Sequence, residues 1–114
     1  MGGGQMLFVT MEEFYAAAQA APRLTREQER ECALRMAQGD TGARDALVQG
    51  YLHLVAAPIR RAPREIQTLR TVYTCLASLE EGVERFDFLQ DGETFAHHLS
   101  WRMRQCLTRC IAER

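Results

Sequence analysis

Near its carboxyl end the chain gathers side chains that can act on nucleic acid: His98, Trp101, Arg102, Arg104, Gln105, Thr108 and Arg109. Trp and His rings stack on unpaired bases, a Gln amide pairs bidentately with adenine, and a Thr hydroxyl reaches a base or a phosphate. Guanidinium groups neutralise phosphate. The combination suits a junction between duplex and single-stranded DNA. In the same stretch Cys106 and Cys110 stand one helical turn apart, with His97 and His98 earlier, which raises metal binding or redox chemistry as an alternative. A metal site needs ligands converging from a second element, and the sequence offers none; on an apolar helix face cysteine acts as a small buried hydrophobe. No nucleophile elbow, phosphate loop or paired-carboxylate pattern is present, so no catalytic residue, metal or cofactor is expected and the chain is not predicted to be an enzyme.

These side chains share a surface only if a helix carries them. At about 100° per residue, Leu99, Met103, Cys106, Leu107, Cys110 and Ile111 fall on one side, the predicted core side. Trp101, Arg104, Gln105 and Thr108 fall opposite, flanked by His98, Arg102 and Arg109. Periodicity alone also fits an ordinary solvated face with one exposed tryptophan.

Thr10 with Glu13, and Thr25 with Gln28, have the spacing of capping boxes, so two helices should begin there. The first is expected from Glu12 to Ala20, stopping at Pro22, and the second should end near Gly39. Asp40 caps a third, whose apolar face runs through Ala43, Leu47, Tyr51, Leu54, Val55 and Ile59, with a kink expected at Pro58. Pro63 should open a fourth helix, carrying Ile66, Leu69, Val72, Leu76, Leu79 and Val83 inward. The Asp and Gly residues between Phe86 and Gly92 predict a turn, and the last helix starts near Thr94. No stretch alternates with period two, so the predicted fold is all-α, a compact bundle of about five helices. Residues 1–23 form an N-terminal helix and linker, and 24–114 the helical domain.

With 114 residues, 46% of them apolar and 25% charged, the chain fits one compact domain. Its four cysteines lack the spacing of a disulfide framework, no secretory signal or membrane-length apolar run is present, and Met1–Met6 lacks the Ser or Thr of a myristoylation signal. A soluble cytoplasmic protein with free thiols and no membrane contact is expected. A formal charge of -1 argues against coating nucleic acid through bulk electrostatics and requires a local patch for any DNA contact. All 14 basic residues are arginine. Arginine is the better bidentate partner for phosphate and guanine, but coding bias in a GC-rich genome is the stronger explanation of that usage.

Several motifs in order carry a family resemblance over about ninety residues, from Leu24 to Arg114. Leu24-Thr25-Arg26-Glu27-Gln28-Glu29 opens it, followed by Gly39-Asp40, Ala43-Arg44, Leu47-Val48 and Tyr51-Leu52-His53-Leu54-Val55. Val83-Glu84-Arg85-Phe86-Asp87 comes next, with Gly92 and Phe95 close behind. The most specific block is Ser100-Trp101-Arg102-Met103-Arg104-Gln105-Cys106-Leu107-Thr108-Arg109-Cys110-Ile111-Ala112-Glu113. This pattern resembles the core-binding and minus-ten-recognition domain, region 2, of the housekeeping (sigma-seventy) family of bacterial RNA polymerase sigma factors.

The resemblance implies a protein of transcription initiation that docks on core RNA polymerase and presents its last helix to the minus-ten promoter element. In the family, the positions matched by Gln105 and Thr108 face the upstream base pair of that element, and Arg104 and Arg109 match family arginines. The aromatic run is thinned here, since His98 replaces a tyrosine, Arg102 a second tryptophan, and Ala96-His97 a Ser-Thr pair. The family's polymerase-docking motif falls on 70–75, where Arg70 reverses the expected charge and Tyr73 and Thr74 keep little of its polar character. Docking is therefore assigned to Arg70, Tyr73 and Thr74 together with Glu80, Glu81 and Glu84. The chain stops short of the domain that reads the minus-thirty-five element, as a short relative or an excised piece would. A divergent sigma-like module that binds a protein partner, such as an anti-sigma-like protein, without reading promoters remains the competing expectation.

Overall fold

The structure, a computed structural model, describes residues 7–114; Met1–Met6, and with it the reading of no acylation signal, lies outside the described residues. Local chemistry starts the helices where the sequence predicts. Thr10 Oγ1 accepts from the Glu13 amide at 3.1 Å while the Glu13 carboxylate accepts from the Thr10 amide at 3.1 Å, opening α1 (Met11–Ala20). Thr25 and Gln28 repeat the arrangement at 3.1 and 2.9 Å for α2 (Arg26–Ala37). These reciprocal bonds satisfy amides that the first turn leaves without partners. At the far end of α2, Gly39 takes φ +93°, a conformation a side chain resists. Its amide bonds to the Met36 carbonyl at 2.9 Å and that of Asp40 to the Arg35 carbonyl at 3.0 Å, the paired bonds of a Schellman stop.

Asp40 then accepts from the Ala43 amide at 3.1 Å and starts α3 (Thr41–Gly50). Here the structure departs from expectation. The single helix predicted through Ile59 is interrupted at Tyr51, whose φ and ψ are -111° and 5°, and resumes as α4 (Leu52–Arg60) with Pro58 inside it. Tightened bonds mark the break, from the Tyr51 amide to the Val48 carbonyl at 3.2 Å and from the Leu54 amide to the Tyr51 carbonyl at 3.0 Å. Gly50 is the weak point, because a Cβ there would lie 3.0 Å from Leu24 Cγ, and only a bare backbone lets the α2 leader approach so closely.

A second difference follows Pro63, which caps only a short 3-10 turn, Arg64–Ile66. The next long helix, α5 (Leu69–Arg85), begins at Thr68, whose hydroxyl accepts from the Thr71 amide. The 86–92 segment is the expected turn, with Asp87 Oδ1 accepting from the Leu89 amide at 3.0 Å. Thr94 caps α6 (Phe95–Glu113). The result is the expected all-α bundle, with α3 and α4 as one interrupted rod. No helix among the described residues is long and apolar enough to cross a membrane.

The core joins Phe14 of α1, Leu47 of α3, Val55 and Ile59 of α4, Val72, Leu79 and Val83 of α5, and Phe95 and Leu99 of α6, all essentially inaccessible. Burying each such side chain contributes about 1.5–3 kcal/mol relative to exposure. Helix α1 packs on α4, with Phe14 edge-on to Phe8 at 5.5 Å and the Arg60 guanidinium 4.2 Å above the Tyr15 ring.

Leu99→Ala should leave a cavity between α5 and α6 and cost roughly 2–5 kcal/mol. Leu34→Ala, at a position 52% exposed, should change stability by less than about 0.5 kcal/mol. Urea melts with matched m-values measure both, and equal midpoints for the two variants would contradict the assigned core.

Candidate nucleic-acid interface

Helix α6 is seated by Phe95, Leu99, Met103 and Cys106, all buried. Of the remaining residues on the predicted core side, Leu107 and Cys110 are half-buried and Ile111 is 36% exposed, so the helix outruns the bundle in its last turns. Trp101 is 51% exposed, and Arg104, Gln105, Thr108 and Arg109 are exposed.

The exposed residues do not form one flat face. Trp101, Gln105 and Arg109, spaced four apart, border a groove of about 480 Å³ toward α5, opposite Thr74, Ser78 and Glu81. Arg104 and Thr108 instead border a second groove of about 430 Å³ toward α4, with Leu54, Pro58 and Arg61. The helix is thus a ridge between two troughs, one edged by an aromatic ring and the other by paired arginines. The Thr108 hydroxyl donates to the Arg104 carbonyl at 2.8 Å, leaving its oxygen lone pairs to accept from outside.

His98 and Arg102 are placed differently from the other predicted residues. The His98 ring lies 5.3 Å from Phe86 and 6.1 Å from both Phe95 and Trp101, so it continues an aromatic chain from the core to the exposed indole. Its Nε2 accepts from Arg102 Nε at 3.0 Å. The Arg102 side chain, only 15% exposed, reaches back to α5, where Nη1 donates to Glu81 Oε1 at 3.2 Å and to the Ser78 carbonyl at 3.3 Å. It therefore ties two helices together rather than standing in solvent. Room for it comes from Gly82, where a Cβ would lie 3.0 Å from Arg102 Nε.

The six candidate docking residues all lie on the outward arc of α5. Tyr73 is held by the N-terminal segment, its hydroxyl accepting from the Phe8 amide at 2.7 Å and donating to the Phe8 carbonyl at 3.0 Å. Arg70 is exposed, and the Thr74 hydroxyl donates to its carbonyl at 2.8 Å. Glu84 pairs with Arg44 at 2.6 Å, Glu81 with Arg102 and Arg85, and Glu80 is half-buried beside them. Among the described residues no three His, Cys, Asp or Glu side chains are arranged to hold a metal ion.

Two contributors escaped the sequence reading. Arg61, which joins Arg104 at the α4 groove, is signalled only by the adjacent arginines closing α4. Gly82 has no local signal in the sequence, because its role depends on a partner twenty residues away.

No family model matches the chain. Among curated proteins it is 34% identical over 93 residues to the RNA polymerase sigma factor SigA of Clostridium acetobutylicum, a match covering 81% of this chain and 24% of that protein. It is 35% identical over 79 residues to the RNA polymerase principal sigma factor HrdD of Streptomyces griseus, covering 68% of this chain and 23% of the relative. For the protein of the same name in Streptomyces coelicolor the figures are 36% over 72 residues, 62% and 21%. The chain thus spans about a quarter of the length of the curated relatives it matches. With an all-helical bundle and homology to housekeeping sigma factors across most of its length, this chain carries a region of the sigma-seventy family.

Proposed function

We propose that the chain acts in transcription initiation, docking on core RNA polymerase through α5 and contacting minus-ten promoter DNA through α6. This reading places its work in the cytoplasm with the polymerase. One observation carries it: Trp101, Arg104, Gln105, Thr108 and Arg109, all within the stretch matching the family's most specific motif, are exposed together on one helix. An exposed indole beside an amide and guanidinium groups can stack on an opened base, pair with an edge and hold the phosphates. The relatives are named for RNA polymerase, which supplies the expected partner.

The individual roles differ. Trp101 is the stacking platform, extended inward by the His98 ring. Arg104 and Arg109 flank the ridge as phosphate contacts, while Gln105 and Thr108 contact base edges. Arg102 acts as a positioning residue, holding the α6 surface in register with α5 through Glu81 and Ser78.

A second reading, a sigma-like module for protein interaction without promoter recognition, is favoured by a different observation. Tyr73 is occupied by Phe8, and Arg70 presents positive charge where the family docking motif is acidic. An anti-sigma-like protein or another protein would then be the partner.

Fluorescence anisotropy with a single-stranded minus-ten oligonucleotide, a scrambled control and a salt series separates the readings. Arg104→Ala should weaken binding to both sequences and flatten the salt slope by about 0.7, as for one lost phosphate contact. Gln105→Ala should mainly erase the preference for the minus-ten sequence. Trp101→Ala should cost roughly 1–3 kcal/mol of binding. Negligible binding to both oligonucleotides by the parent chain would sink the DNA reading.

Arg102→Ala should lower the urea midpoint, by about 1 kcal/mol in stability, while leaving the salt slope of DNA binding intact. A flattened slope would mean that Arg102 reaches phosphate after all. For polymerase, a pull-down with core enzyme should capture the chain, and Glu80→Arg with Glu84→Arg should reduce capture; no capture at micromolar chain would leave docking without support.

A further inference from the structure

All four cysteines are unbridged thiols, and two of them face each other across the helices that carry the proposed surfaces. Cys75 of α5 is inaccessible and Cys106 of α6 is 6% exposed, with their Sγ atoms 3.4 Å apart. Cys110 follows one turn later on α6, half-buried, and Cys32 lies apart on α2. The pair is not equivalent in access. Cys106 forms part of the floor of the groove bordered by Trp101, Gln105 and Arg109, so a small solute can approach its sulfur through the groove, whereas Cys75 lies behind it.

We propose that Cys106 and Cys75 are a hydroperoxide-oxidised thiol pair, Cys106 reacting first and Cys75 resolving it, so that a disulfide joins α5 to α6. The inference does not depend on the sigma reading. The thiolate is the nucleophile in such chemistry, and the surroundings divide the two roles. The Cys75 thiol donates to the Cys106 sulfur and holds it below the usual thiol range; burial opposes this, and the Arg109 guanidinium assists it. The same hydrogen bond, reinforced by burial, keeps Cys75 protonated.

In the first step the Cys106 thiolate attacks the terminal oxygen of a hydroperoxide. The O–O bond breaks, the alkoxide leaves and takes a proton from water, and Cys106 becomes a sulfenic acid. In the second, Cys75 sulfur attacks Cys106 sulfur, the S–O bond breaks, and the Cys75 proton departs with the hydroxide as water. Two thiols lose two electrons in all, and the hydroperoxide is reduced to alcohol and water. Bond formation draws the sulfurs from 3.4 Å to about 2.05 Å.

The chain contains no lysine, so trypsin cuts only at arginine and places the relevant cysteines on separate peptides. Cys75 falls on 71–85, Cys106 on 105–109, Cys110 on 110–114 and Cys32 on 31–35. The folded 114-residue chain would be treated with hydrogen peroxide, quenched by alkylation and mapped without reduction. The expected product is 71–85 joined to 105–109, two hydrogens lighter than the sum of the parts, formed at least about tenfold faster than any oxidation of Cys32. Cys110→Ser should keep the link, and Cys75→Ser should instead accumulate a Cys106 sulfenic acid that dimedone labels. A link from 105–109 to 110–114 or to 31–35, oxidation of Cys32 as fast as Cys106, or over-oxidation of Cys106 without any link would each overturn the proposal. The parent chain alone decides these outcomes, so they hold even if a variant folds poorly.

Discussion

The Phe95 ring, first residue of α6 and 1% exposed, sets the direction of everything that helix displays. It meets Tyr51 at 4.6 Å, Phe88 at 5.1 Å and Phe86 at 5.2 Å, so rings from the α3–α4 break, the turn after α5 and the start of α6 close on one another. Aromatic pairs at such separations contribute roughly 0.5–1.5 kcal/mol each beyond the area they bury. With Phe95 pinned and Leu99 and Met103 following at successive turns, α6 cannot rotate without exposing three core side chains. Trp101, Gln105 and Arg109 must then point out. The interruption at Tyr51 belongs to the same constraint, since it seats the Tyr51 ring against Phe95 while the flanking segments keep Leu47 and Val55 inside.

That dependence explains which features could be read from sequence. Capping boxes at Thr10 and Thr25 and the stop at Gly39 are local, decided within a few residues, and the structure forms them where they were expected. The inward stripe of α6 was legible because helical spacing is a property of one segment. The break at Tyr51 was not. Apolar spacing continues across it without a phase change, and its causes lie in Leu24 and Phe95, far away in the chain. Pro63 misled for the opposite reason: it is a strong local start signal, but the turn it opens ends at Ile66, and the better cap is Thr68.

Arg102 shows the same limit at the level of one side chain. A helical projection places its Cα on the flank of the wet face, but a long flexible side chain does not have to follow its Cα. Gly82 leaves a gap on α5, and Glu81 and the Ser78 carbonyl supply acceptors there. The guanidinium therefore turns inward and gains hydrogen bonds that solvent exposure would not fix in place. Arg102 is thus a polar tie between helices rather than part of the wet face. The exposed aromatic surface on this side of α6 is Trp101 with His98 behind it.

Charge distribution follows from these pairings more than from composition. A formal charge of -1 gives no general attraction to DNA, yet many arginines are already matched: Arg44 with Glu84, Arg102 with Glu81, Arg30 with Asp91, Arg35 with Glu31 and Arg114 with Glu65. Among the described residues Arg61, Arg104 and Arg109 form no ion pair, and all three border the grooves beside α6. These three unpaired guanidinium groups place positive charge along the α6 ridge, acting within the roughly 8–10 Å over which salt permits exposed charges to act. A near-neutral protein can in this way present a basic surface where it is needed. Glu81, the acidic side chain that lines the α5 groove, is itself engaged by Arg102, so the tie that orders the two helices also offsets part of the repulsion a phosphate would meet there.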